Sequence, residues 1–121
     1  MTSKIRTMSL YPHNMEKMLS GQKTVEIRVE YPNYKDLAAG QLIRFLSGED
    51  SCLTRIVRIT RYASFDDMLD TENPRTIGYE EHLSKAHMLE RIRKIYPPAK
   101  EALGVLAIEF TREPPDDIEP V

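Results

Sequence analysis

Cysteine is almost absent from this chain. Cys52 is the single one in 121 residues, so no internal disulfide can form and no thiolate cluster can hold a metal. Its place in an apolar stretch reads as a small core residue. The three histidines, His13, His82 and His87, lack the i, i+4 ligand spacing, so no metal and no cofactor are expected. No window approaches the roughly 18 apolar residues of a membrane span. The opening Met1-Thr2-Ser3-Lys4-Ile5-Arg6 has no apolar signal core, and a cytoplasmic location is the expectation. There is no glycine-rich phosphate loop and no Gly-x-Ser-x-Gly elbow, which removes support for nucleotide triphosphate and serine-hydrolase chemistry. Neither an internal repeat nor a low-complexity core segment is present.

What remains is ordinary for one globular domain: 40% hydrophobic and 30% charged residues, at a length that buries about two-thirds of the unfolded surface. The net charge of −2 gives no large basic field. Its distribution is uneven. Residues 113–121 carry Glu113, Asp116, Asp117 and Glu119 with three prolines and no base, which reads as an acidic, disordered tail after a domain over 1–112. Residues 1–63 hold ten Lys or Arg against six Asp or Glu, compatible with a phosphate-bearing partner.

Periodicity supplies the elements. A strand over 5–10 is followed by a short helix with Pro12 in its first turn, Met15, Met18 and Leu19 on one face and Gly21 at its C-terminal end. A strand over 41–46 and one over about 52–62 are joined by a tight turn at Ser47-Gly48-Glu49-Asp50. The second mixes Leu53, Ile56, Val57 and Ile59 with Arg55, Arg58 and Arg61 without strict alternation, which predicts a bulge or strong twist. Ser64 predicts a helix cap with Asp67 three residues on, for a short helix ending before Pro74. Leu83, Ala86, Leu89, Ile92 and Tyr96 predict a helix over about 79–96, stopped by Pro97-Pro98. Gly104 to Thr111 reads as the last strand. The expected fold is α+β, about five or six strands in a small barrel flanked by two or three helices.

Val25, Ile27 and Val29 alternate as a half-buried strand does, so Thr24, Glu26, Arg28 and Glu30 share its other face. Lys23 and Glu26 are three residues apart and can share a pocket only if Lys23 precedes the strand or lies beside a bulge. Two readings stay open at this point. Glu26 and Arg28 are solvated ion pairs worth about 0 to 1 kcal/mol while Lys23 caps the preceding helix; or the three, with Glu80 or Glu81 and Tyr96, line a polar site able to cut an amide.

Gly21-x-Lys23-Thr24-x-Glu26-x-Arg28, then Gly40-Gln41-x-Ile43, Arg61-Tyr62-x-Ser64-Phe65, Ile95-Tyr96-Pro97 and Gly104-Val105-x-Ala107-Ile108-x-Phe110, resemble the ASCH domain, a relative of the PUA barrel, over about residues 5–112. The resemblance implies a barrel with a cleft between strands and helices, and an RNA or modified-nucleotide partner. It would use Lys23, Thr24 and Arg28 as contacts and Tyr34, Tyr62 or Tyr96 as stacking surfaces. A bacterial branch of this family removes the acetyl group of acetylcytidine with a lysine, a threonine and a glutamate. The resemblance puts these at Lys23, Glu26 and Glu81. The threonine position thus holds a carboxylate, which can prepare a water but is not the same nucleophile. For amide hydrolysis, Lys23 and Glu26 are expected to prepare water, Glu81 to move the proton and Arg28 to hold substrate.

Overall fold

The computed structural model describes residues 5–114. In chain order the elements are β1 (Arg6–Ser9), α1 (Pro12–Leu19), β2 (Val25–Val29), a 3-10 turn (Pro32–Tyr34), β3 (Leu42–Ser47), β4 (Asp50–Tyr62), α2 (Phe65–Thr71), α3 (Pro74–Ile77), α4 (Lys85–Ile95), α5 (Pro98–Glu101) and β5 (Val105–Arg112). The strands form one sheet in the order β1-β3-β4-β5-β2, in which only the β1–β3 pair is parallel.

Alternation along β5 explains why this strand is central to both cores. Leu106, Ile108 and Phe110 join Met15 and Met18 of α1 on one face, with Ile43, Phe45 and Cys52. Val105 and Ala107 join Val25 and Val29 of β2, Phe65 and Met68 of α2 and Ile92 of α4 on the other. Each fully buried side chain of this size contributes about 1.5–3 kcal/mol. The irregular pattern of β4 is a bulge: Ile56 pairs with Phe110 and Arg58 with Glu109, which leaves Val57 unpaired and exposed.

The two edge strands approach each other without pairing. Arg28 of β2 donates from Nη2 to the Ser9 carbonyl of β1 at 2.6 Å, so one side chain spans the gap of a curled half-barrel. Three helices have seven or more residues, and α3 and α5 are single turns of four.

The helix expected over 79–96 starts only at Lys85. Gly78 has φ +120°, which ends α3, and Ser84 caps α4 by accepting from the His87 N–H at 3.2 Å. Met88 and Ile92 are its buried residues, whereas Ala86 is exposed. The stretch between the two expected helices contains α3. Ser64 caps α2 as its sequence suggests, accepting from the Asp67 N–H at 3.1 Å. Glu113, counted with the acidic tail, is tied to β4 by its N–H to the Leu53 carbonyl at 2.9 Å and by an ion pair with Arg55 at 3.3 Å. The rest of that tail from residue 115 lies outside the described residues. No described helix is long and apolar enough to cross a membrane.

Candidate functional site

Between the open edges of the sheet lies a cavity of about 480 Å³. Its walls come from the end of β1, the polar face of α1, the edge strand β2, the Ile77-Gly78-Tyr79 segment and α4. The junction ahead of β2 determines what stands at its centre. Gly21, at φ +91°, donates to the Met18 carbonyl at 3.1 Å and turns the chain out of α1. The Lys23 N–H then returns to the Lys17 carbonyl at 3.0 Å. Lys23 therefore precedes the regular strand, which satisfies the geometric condition for sharing a pocket with Glu26.

Lys23 is 2% exposed, and its ammonium is saturated. Nζ donates to the Val25 carbonyl at 2.8 Å and the Ile77 carbonyl at 2.8 Å, and pairs with Glu26 Oε1 at 2.9 Å. An ammonium has three N–H protons, and here each has an acceptor. The other Glu26 oxygen accepts from Arg28 Nε at 2.6 Å. Burial pushes the Glu26 carboxyl up, but Lys23 and Arg28 outweigh it and hold the group below the ordinary carboxylate range. Glu26 is thus an ionised anchor clamped between two cations.

Further cations line the cavity: Lys17, which donates to the Gly78 carbonyl, and Arg91, which lies 3.6 Å from Glu80. Among the described residues, four Lys or Arg side chains thus line the cavity with one carboxylate, and that carboxylate is already shared by two of them. Tyr79 and Tyr96 also line the cavity. Burial pushes both phenols up to about 12, against the opposing pull of Arg91 and Arg28 respectively, so at neutral pH they are protonated hydrogen-bond donors. Tyr96 is fixed by stacking on Phe65 at 5.6 Å.

The edge of β2 adds backbone groups. The Thr24 carbonyl accepts from Phe110 and the Glu30 N–H donates to Gly104, so the even-numbered residues turn their amides toward β5 and the odd-numbered ones turn theirs outward. The Val25 carbonyl is taken by Lys23 and that of Val29 by the Tyr31 N–H. Ile27, which lines the cavity, presents its N–H and C=O outward with no protein partner among the described residues.

Of the residues singled out from sequence, the fold brings together Lys23, Glu26, Arg28 and Tyr96. Five others do not line the cavity, among them Glu80, whose carboxylate lies 3.6 Å from Arg91. Thr24 is held by its backbone between Thr76 and Phe110. Tyr34 packs beside Tyr31 and against the α1-side core. The Tyr62 hydroxyl donates to Glu72 at 2.5 Å, beside Arg58. Glu81 is 79% exposed in its side chain, 3.8 Å from Arg75 on the outer surface, because it lies in the loop ahead of α4 rather than on a helix. Tyr11, His13, Asn14, Lys17, Tyr79 and Arg91 line the cavity and were not anticipated. The His13 and Lys17 pair, at i and i+4 opposite Met15 and Met18, was the available signal. Among the described residues, no group of three His, Cys, Asp or Glu is arranged to hold a metal.

The ASCH domain family model matches residues 8–114. The crystal structure of hypothetical protein PH0355 has a TM-score of 0.80 at 25% identity, covering 91% of this chain and 100% of that one. The solution structure of protein PF0455 from Pyrococcus furiosus has a TM-score of 0.72 at 25% identity, over 90% of this chain and 97% of that one. The crystal structure of ASCH from Zymomonas mobilis has a TM-score of 0.60 at 17% identity over 87% of this chain and 65% of that one, a likeness of fold alone. No curated protein matches the chain.

Proposed function

The chain belongs to the ASCH domain family, and on that premise we propose that its cavity binds a nucleotide unit of RNA or a modified nucleotide. The observation that carries this reading is the imbalance of charge in a cavity of ligand size: four cations around one carboxylate that is already shared. A half-open cavity of about 480 Å³ is large enough for one nucleotide and small for a folded partner. Arg91, Lys17 and the remaining N–H groups of Arg28 favour phosphate. The Ile27 N–H and C=O, side by side on the strand edge, match the adjacent acceptor and donor on the pairing edge of a base. Tyr79 and Tyr96 supply further donors.

Amide hydrolysis by Lys23, Glu26 and Glu81 finds less support. Lys23 is spent on three protein acceptors, Glu26 is held ionised below the ordinary carboxylate range and replaces the threonine, and Glu81 is on the outside. The test is calorimetric titration with a nucleoside, its monophosphate and a short RNA, alongside chromatography of acetylcytidine incubated with the protein. Binding that needs the phosphate and falls about tenfold in Arg91→Ala supports the proposal. Cytidine release that disappears in Glu26→Gln would replace it with hydrolysis.

A further inference from the structure

Tyr11 is 56% exposed, although a large aromatic side chain gains most from burial. It stands on the wall of the cavity at the foot of α1, and its backbone is constrained. The residue before a proline is confined to extended backbone, and Tyr11 has φ −69° and ψ 152° ahead of Pro12. Its carbonyl accepts from the Asn14 N–H at 3.0 Å and the Met15 N–H at 3.1 Å. Its ring lies nearly parallel to that of His13, with 5.9 Å between centroids and 7° between planes. On α4, which walls another part of the cavity, Ile95 is 52% exposed. An apolar surface is thus presented at the wall of a cation-lined cavity, where a base can stack.

We infer that the ligand is a single-stranded nucleic acid, with one nucleotide in the cavity and the adjacent base stacked on the Tyr11–His13 platform. The inference rests on the nucleotide-binding reading of the cavity and extends it from a nucleotide to a strand. A planar ring on a constrained backbone, with one face toward His13, offers its other face as a stacking surface that tolerates any base, because every base has a π-face. Charge favours nucleic acid over a neutral extended peptide: the four lining cations outnumber the carboxylates beside them, Glu26 and Glu80, and that excess suits phosphates. The platform contains none of Lys23, Glu26 or Arg28, so its contribution is separable from theirs.

The experiment compares a nucleoside monophosphate with a tetranucleotide RNA on the wild type, Tyr11→Ala and Tyr11→Phe. The tetranucleotide is expected to bind the wild type about tenfold more tightly, and Tyr11→Ala to remove that advantage by weakening the tetranucleotide about tenfold more than the monophosphate, which meets Tyr11 only as part of the cavity wall. Tyr11→Phe, which keeps the ring, is expected to retain it. The chain has no tryptophan, so in Tyr11→Trp all indole emission comes from position 11. Quenching by the tetranucleotide and not by the monophosphate is the expected signature. If both ligands bind but Tyr11→Ala changes neither, or weakens both equally, the platform is overturned and the nucleotide site stands. If neither ligand binds the wild type, the nucleotide reading itself fails.

Discussion

Lys23 uses all three of its protons on acceptors within the protein, and this determines how its loss will read. Removing it leaves the buried Glu26 with one cation instead of two and the Val25 and Ile77 carbonyls without a donor. Breaking a buried pair from one side costs about 3–5 kcal/mol. Lys23→Ala is therefore expected to lower the urea midpoint strongly, so a lost activity in that variant reports the fold before it reports chemistry. Glu26→Gln is the milder probe, and its effect depends on pH in a defined direction. The Glu26 carboxyl sits below its ordinary value of 4.5 in the folded state. A depressed folded pKa contributes stability that is complete above the unfolded value and is lost as pH falls through the folded one. The wild type is thus expected to exceed Glu26→Gln in stability by a constant margin above about pH 5, with the margin shrinking as pH falls below 4.5. Urea titrations of both proteins from pH 7 to pH 3 measure it. A margin that grows on acidification would contradict the clamped carboxylate.

At the scale of elements, α4 shows how a periodic sequence misleads. Leu83, Ala86, Leu89, Ile92 and Tyr96 keep helical spacing, but the chain has a stronger local instruction in Ser84, whose hydroxyl accepts the His87 N–H. Ser84→Ala is expected to cost about 1 kcal/mol in urea unfolding, while Ser84→Asp preserves most of the stability because the carboxylate accepts the same bond. The displaced start also explains Glu81. The resemblance assigns Glu81 on the expectation that a helix over 79–96 carries it, whereas the loop ahead of Lys85 puts it in solvent. By contrast, β2 was legible because period 2 is short and Val25 and Val29 enter one core. The bulge in β4 was legible for the same reason, since Val57 visibly breaks the alternation. The unanticipated lining comes from α1, Tyr79 and α4, brought together by sheet curl that no local pattern encodes.

For the whole molecule, a net charge of −2 excludes a broad electrostatic surface, and the cations that matter are gathered at the gap bridged by Arg28 and Ser9. Affinity for a strand should therefore come from few phosphates. Each phosphate neutralised on a single strand contributes a slope of about −0.7 to log K against log salt. With the cavity cations arranged around one nucleotide and its neighbour, we expect a slope between about −0.7 and −1.4 for the tetranucleotide. Arg91→Ala is expected to reduce its magnitude by about 0.7, because this half-exposed guanidinium is held only loosely by Glu80. Tyr11→Ala, which removes no charge, is expected to weaken binding at every salt concentration and leave the slope unchanged. Titrations between 50 and 300 mM salt, roughly the range over which screening of exposed charges changes most, separate the two contributions. A slope steeper than about −2.5 would place additional phosphates on the protein surface beyond the cavity and contradict a two-nucleotide footprint.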